Sequence, residues 1–326
     1  RENYLFNSKI NGIEESDFIL LIGTNPRFEA TMLNARIRKA FLKNKLKIIS
    51  LNDVGNLTYP YKSLDGKTQT IKDIIDNKHE ISKYIIDAKK PIIIFGESFL
   101  KSNSAEYLFQ SFKKFLINEK KFNEEWNPLN VISTDAATVG NLDLDIIDQT
   151  NNLLRDLNEN RLELVFLLGQ DNLKINKKDE FIIYQGSHGD KGAEIADIIL
   201  PGAAYTEQSG HFTNLEGKIQ KAYKASYPPG EAKEDWQIIN ELAEIINKRK
   251  LFNDKDELES SMFNYLNLQK EKQVDDQNNS SKEFQNENLI VKVKDYYFSN
   301  VIARSSKTMV ECNNSKLNLK STGTEG

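Results

Sequence analysis

The fold turns on Phe18-Ile19-Leu20-Leu21-Ile22 and the four residues that follow, Gly23-Thr24-Asn25-Pro26. Five consecutive apolar residues predict a strand buried on both faces, because parallel strands covered by helices carry continuous apolar runs instead of alternating ones. Gly, Asn and Pro in close succession predict a tight turn into a helix. Beyond it, Leu33, Ile37 and Phe41 recur at i, i+4 with Phe28 and Met32 beside them, while Asn34, Arg36 and Arg38 fall on polar angles. Residues 46–51 are the next expected strand, broken by Asn52, Asp53 and Gly55. Residues 71–75 and 79–88 predict short helices. After Lys89-Lys90-Pro91, the run Ile92-Ile93-Ile94-Phe95-Gly96 predicts a third buried strand.

The same grammar continues. Residues 105–117 are amphipathic, with Leu108, Phe112, Phe115 and Leu116 on one side, residues 131–133 are a short strand candidate, and residues 142–158 carry a mixed helical signal. Three strand-then-turn units follow: residues 164–168 before Gly169, 181–184 before Gly186, and 195–200 before Pro201-Gly202. Residues 234–246 predict a helix with Trp236, Ile239, Leu242, Ala243 and Ile246 in one stripe. Strands alternating with helices imply βαβ crossovers, so the expected fold class is α/β with two Rossmann-like, doubly wound domains and mainly parallel sheets. The expected boundaries are 1–103, 104–250 and an irregular C-terminal extension over 251–326. Within that extension residues 253–267 predict a helix, about 269–287 a polar linker, 289–301 a docking tail, and 321–326 a frayed end.

Composition narrows the function. Of 326 residues, 39% are hydrophobic and 10% aromatic, which supports sizeable cores and excludes wholesale disorder. Lys+Arg number 44 against Asp+Glu 48, a net charge of −4 that argues against a nucleic-acid binder. No apolar run approaches the ~18 residues a membrane span needs, so no direct span is expected. Cys312 is the sole cysteine, so this chain cannot form an intrachain disulfide or supply a four-thiolate cluster by itself. His79, His188 and His211 match no metal-ligand spacing. The chain starts at Arg1, which suggests a processed or fragmentary N-terminus.

Gly23–Pro26 stands where α/β folds hold nucleotides, after a strand and before a helix. On these four residues the plain βα turn is the favoured reading, and neither GxGxxG nor GxxxxGK[ST] is present. Gln185-Gly186-Ser187-His188-Gly189-Asp190 brings His188 near Asp190 as a conceivable proton-transfer pair, yet no nucleophile has triad spacing. Ser209-Gly210-His211 lacks the GxSxG elbow. Glu194, Asp197, Glu207 and Glu216 single out no acid–base pair, and Arg27, Arg36 and Arg38 read as a solvated helix face. No catalytic set and no metal site emerges from the residues alone.

Longer strings resemble one family. They are Phe181-Ile182-Ile183-Tyr184-Gln185-Gly186-Ser187-His188-Gly189-Asp190, Ala196-Asp197-Ile198-Ile199-Leu200-Pro201-Gly202-Ala203-Ala204-Tyr205-Thr206-Glu207, Asn214-Leu215-Glu216-Gly217-Lys218, Gly23-Thr24-Asn25-Pro26-Arg27-Phe28-Glu29-Ala30 and Ala303-Arg304-Ser305-Ser306-Lys307. Together with Lys294-Asp295-Tyr296-Tyr297-Phe298 they resemble the C-terminal half of the large (75 kDa type) iron–sulfur subunit of respiratory NADH:ubiquinone oxidoreductase, complex I, a region related to molybdopterin oxidoreductases. The resemblance implies a structural subunit of the peripheral arm that carries no redox centre, with iron–sulfur clusters and FMN on neighbouring chains. It implies partners in the N-terminal, cluster-bearing half of the same subunit (the second half being separately encoded), the flavoprotein and other arm subunits. The implied location is the matrix side of the mitochondrial inner membrane, or the cytoplasmic side of a bacterial one. Gly23, Asn25, Pro26, Asp197 and Pro201 would line a vestigial cofactor cleft. The rival is the cofactor-binding part of a molybdopterin oxidoreductase such as formate dehydrogenase. A generic nucleotide-binding protein is weaker.

Overall fold

The computed structural model describes residues 1–326 except 45, 148–151, 171, 172, 174, 272–282, 294 and 319–326. The chain divides into two units. The first comprises residues 1–143 with 212–220 and 273–294; the second comprises 144–211, 221–272 and 295–326.

In the first unit, β1 (Phe18–Ile22) leads through α1 (Pro26–Glu29) and α2 (Thr31–Asn44) into β2 (Lys47–Ser50) and a two-residue β3 (Lys62–Ser63). Helices α3 (Thr68–Ile75) and α4 (Glu80–Asp87) precede β4 (Pro91–Gly96). Helices α5 (Glu97–Leu100) and α6 (Ala105–Asn118) cross over to β5 (Leu129–Ile132), and α7 (Thr138–Asp143) closes the unit. The strand order is β3-β2-β1-β4-β5, all parallel, so the topology reverses direction between β1 and β4. All five residues of β1 and all six of β4 are buried, as the apolar runs predict. Their alternation feeds two cores. Phe18, Leu20, Ile22, Ile93 and Phe95 pack with residues of α3, α4 and α6 on one face. Ile19, Leu21, Ile92 and Ile94 pack with Leu33, Ile37 and Ala40 of α2 on the other. Phe28 and Met32, expected beside that apolar stripe, are instead 61% and 77% exposed, because the stripe turns at Leu33.

The division near residue 103 is corrected. Residues 105–118 form the crossover joining β4 to β5 within one sheet, so a cut there would separate hydrogen-bonded neighbours. The break follows Asp143. The polar linker is also corrected at its downstream end. Thr68 N–H donates to the Glu287 carbonyl at 3.0 Å and Leu289 N–H to the Gly66 carbonyl at 2.8 Å. Phe284 stacks on Tyr107 with ring centroids 5.9 Å apart, and Leu289 is 5% exposed within the α3/α6 core. Residues 283–293 are therefore a strap seated on the first unit. Residues 269–271 of the predicted linker are helical instead, and its middle, 272–282, and the frayed end at 321–326 lie outside the described residues.

In the second unit, α8 (Leu153–Asn158) precedes β6 (Leu164–Leu168), β7 (Phe181–Gly186), α9 (Lys191–Ile195) and β8 (Ile198–Pro201). These strands form a parallel sheet in the order β6-β7-β8. A two-stranded hairpin, β9 (Gly210–Thr213) with β10 (Ile219–Ala222), follows, its tip belonging to the first unit. Helix α10 (Asp235–Asn247) opens with a reciprocal capping box between Glu234 and Gln237. Helix α11 (Lys255–Glu271) covers the predicted helix at 253–267, and α12 (Val301–Ser305) and α13 (Lys307–Asn318) complete the unit. The mixed signal over 142–158 resolves into α7 and α8. No helix among the described residues is long and apolar enough to cross a membrane.

Candidate functional site

The carboxyl edge of the first sheet is where a doubly wound fold holds its ligand, at the reversal between β1 and β4. There the chain comes unusually close to itself. Gly23 has φ +61°, and a Cβ on it would lie 2.5 Å from the Phe99 nitrogen; one on Gly96 would lie 2.5 Å from the Gly23 carbonyl oxygen. Glycine is required at both positions, at Gly23 by the backbone angle and by space, at Gly96 by space.

The Thr24 hydroxyl, the Asn25 N–H and the Asn25 side chain of the β1 turn all have partners within the chain. The Glu29 carboxylate accepts from the Asn25 N–H at 2.6 Å and from the Thr24 hydroxyl at 2.5 Å. The Asn25 side chain donates to the Val54 carbonyl at 3.0 Å and accepts from the Arg27 N–H at 3.2 Å, capping α1, whose first residue is Pro26. Across the edge, Glu97 accepts from both the N–H and the hydroxyl of Thr134, at 2.7 and 2.5 Å, and pairs with Lys101 at 3.0 Å. Burial raises the Glu29 carboxyl above its ordinary range, and the negative Glu97 nearby adds to the rise. Burial works the same way on Glu97, but the Thr134 donors and Lys101 outweigh it and bring that carboxyl down to about 2. The cleft beside them, about 380 Å³, is lined by Glu29, Glu97, Lys101 and the strap residues Leu289, Ile290 and Lys292.

The second unit repeats the arrangement. At the carboxyl ends of β7 and β8, Gly186, Ser187, His188 and Pro201 border a cleft of about 360 Å³ with Glu207 and Glu231. Here the Ala204 N–H donates to the Glu207 carboxylate at 3.0 Å. The His188 ring reaches Ser187 at 2.9 Å, and Asp190 instead caps α9 and pairs with Arg304 at 2.7 Å. His188 and Asp190 thus take separate partners. Asp197 stands at the opposite end of β8 from Pro201. Its carboxylate accepts from the Ile182 N–H at 2.8 Å and pairs with Lys177 at 2.6 Å, and both contacts hold it below the usual carboxylate range. Of the five cleft candidates, Gly23, Asn25 and Pro26 share one turn in the first unit. Pro201 borders the second unit's cleft, and Asp197 is structural there. Glu29, Glu97 and Glu207 were missed as site residues by sequence reading; Glu29 and Glu207 lie three and five positions beyond the turns at Pro26 and Gly202, whereas Glu97 follows β4 directly.

Residues 1–245 match the family model for molybdopterin oxidoreductase. The chain belongs to that family. Residues 257–312 also match the model for the C-terminal part of the G subunit of NADH-ubiquinone oxidoreductase. Relatives include the NADH-ubiquinone oxidoreductase 75 kDa subunit of Reclinomonas americana, 36% identical over 96% of this chain and 47% of that protein. The mitochondrial NADH-ubiquinone oxidoreductase 78 kDa subunit of Candida albicans is 37% identical over 96% of this chain and 45% of its own length. The G subunit of the NADH-quinone oxidoreductase of Rickettsia bellii is 36% identical over 99% and 47%. The chain spans about half the length of these curated relatives.

The residues do not suit the group for which the molybdopterin oxidoreductase family is named. A pterin dinucleotide brings a pyrophosphate, which requires free N–H donors and positive charge at a strand's carboxyl end. In both units the main-chain N–H after the turn is taken by the chain's own carboxylate, Glu29 on Asn25 and Glu207 on Ala204. An anionic ligand would meet the Glu29 and Glu97 carboxylates in the first cleft, where Lys101 is already paired with Glu97 and Lys292 also lines the wall, and Glu207 and Glu231 in the second.

Proposed function

We propose that this chain is a structural part of the peripheral arm of NADH:ubiquinone oxidoreductase, corresponding to the C-terminal half of its 75 kDa type subunit. Its role is to give shape and contact surface to neighbouring chains that hold the flavin and iron–sulfur clusters. The observation that carries the reading is a match to the molybdopterin oxidoreductase family together with clefts in which a main-chain N–H is taken by the chain's own carboxylate, Asn25 by Glu29 and Ala204 by Glu207. The match of residues 257–312 to the C-terminal model of a respiratory NADH dehydrogenase chain, and relatives from mitochondria and a bacterium at about 36% identity, support assigning it to that complex. These 326 residues contain one cysteine, too few to supply the thiolate ligands of an iron–sulfur cluster. The other half of the subunit is the first partner, and the arm faces the matrix in a mitochondrion or the cytoplasm in a bacterium.

Depletion of the chain in its own cells tests this. The account expects the amount of assembled complex to fall while the cluster midpoint potentials in whatever remains stay unchanged. Intact assembly with an altered midpoint would refute the scaffold role.

A further inference from the structure

Among the described residues, the parallel sheet of the second unit has its core on one face only. Its register sets Leu164 beside Phe181, Phe166 beside Ile183, and Ile183 beside Ile198, so these side chains share a face. Val165, Leu167, Ile182 and Tyr184 share the other, where Leu157 of α8 and Ala193 and Ile195 of α9 complete a small core. On the first face, Leu164 is 58% exposed, Leu168 52%, Phe181 44%, Ile198 45% and Phe166 36%. Helix α10 reaches only one corner of it, where Gln185 donates to Asp235 at 2.9 Å and Leu200 lines a groove with Ile238 and Leu242. Among the described strand residues of the open part, Leu164, Phe166, Leu168, Phe181, Ile183 and Ile198, none is charged. Parallel sheets are found with both faces covered, and an apolar patch of this kind marks a surface that something else covers.

We infer that this face is the seat of a packing layer supplied by the half of the subunit that the curated relatives possess and this chain does not span. The inference rests on the reading given under Proposed function. Two observations choose this occupant. The relatives carry about as much polypeptide again as the matched region, since 47% of the Reclinomonas americana protein is covered. The bare face is also one layer short of a domain core, which is how an obligate interface looks when its partner is removed.

The test uses single thiols in the full chain. Cys312, the sole cysteine, is replaced by Ser, and Phe166→Cys or, as a second position, Leu164→Cys is introduced. Labelling by a maleimide is compared between the purified chain and the same chain in its native assembly, and a benzophenone maleimide then identifies the neighbour. The expected result is rapid labelling in the purified chain and a fall of about tenfold or more in the assembly, as for the core of a buried interface. The expected cross-link is to the polypeptide bearing the subunit's remaining half. A thiol equally reactive in both states, one already unreactive in the purified chain, or a cross-link to a second copy would each overturn the docking assignment while leaving the function standing. A chain found in no NADH-oxidising assembly would overturn both.

Discussion

Alanine substitution at three glycines separates backbone strain from close approach at the sheet's reversal point. Gly55 has φ +74° and open space around it, so Gly55→Ala incurs only the left-handed penalty of about 1–2 kcal/mol. Gly96 has φ −100°, so Gly96→Ala carries no such penalty, but its new Cβ would lie 2.5 Å from the Gly23 carbonyl oxygen and 2.5 Å from the Thr24 Cβ. Overpacking of that kind costs about 1–3 kcal/mol, toward the upper end when the obstacle is backbone. Gly23→Ala combines both effects, because its Cβ would meet the Phe99 nitrogen at 2.5 Å at a φ of +61°. The combined cost is about 3–5 kcal/mol. Reduced entropy of the unfolded chain offsets each by a similar amount, about 0.4–1 kcal/mol, so the differences are firmer than the absolute values. Urea unfolding followed by Trp126 fluorescence, in a Trp236→Phe background, reports on the first unit alone, since Trp126 is buried there with its indole N–H donating to the Pro91 carbonyl at 3.0 Å. The expected order of cost is Gly23, then Gly96, then Gly55. Equal costs at Gly96 and Gly55, with Gly23 no worse than either, would refute the close crossing of the two strand-end turns.

Glu97→Gln removes a charge whose carboxyl sits at about 2 in place of the ordinary 4.5. The full fall corresponds to about 3 kcal/mol, and solvent screening of this half-open side chain reduces it to about 1–2. Because the carboxyl is depressed in the folded state, that contribution is present above pH 4.5 and fades as pH falls toward 2; stability curves of wild type and variant should converge there, and parallel curves would contradict the assignment. Leu289→Ala should cost about 2–4 kcal/mol in the Trp126 assay through the cavity left under the strap, and a loss below about 1 would show that residues 283–293 are not seated in that core. Asp190→Ala removes the α9 cap and the partner of Arg304, and should destabilise the second unit by about 1 kcal/mol on the Trp236 signal; no change would place the Arg304 contact outside the stable fold.

Much of the fold was legible because burial on both faces leaves unbroken apolar runs: β1, β4 and β7 fall where residues 18–22, 92–96 and 181–184 predict them. The domain boundary was not legible. An amphipathic helix at 105–118 looks the same whether it begins a new domain or crosses over within an old one, and only strand pairing decides. The strap escaped notice because Phe284 and Leu289 are isolated anchors in polar sequence, and its main-chain bonds to Thr68 and Gly66 span more than 200 positions. The β9–β10 hairpin has no apolar run to announce it. At the site, turn chemistry predicted the βα turn that Gly23, Asn25 and Pro26 form, while their place beside a cleft was named only through the family resemblance. The role of Glu97 depends on Thr134, 37 residues away, which no spacing rule connects. Asp197 was named a cleft residue only through the family resemblance of Ala196–Pro201, and it sits at the start of β8, away from that strand's carboxyl end.

The claim that shape, not redox chemistry, is this chain's contribution meets its most direct test in the composition of the assembly that contains it. Native-gel separation, in-gel NADH oxidation and elemental analysis of the same band should find NADH-oxidising activity and iron without molybdenum or tungsten. Molybdenum or tungsten stoichiometric with this chain, in a band inactive toward NADH, would contradict the account.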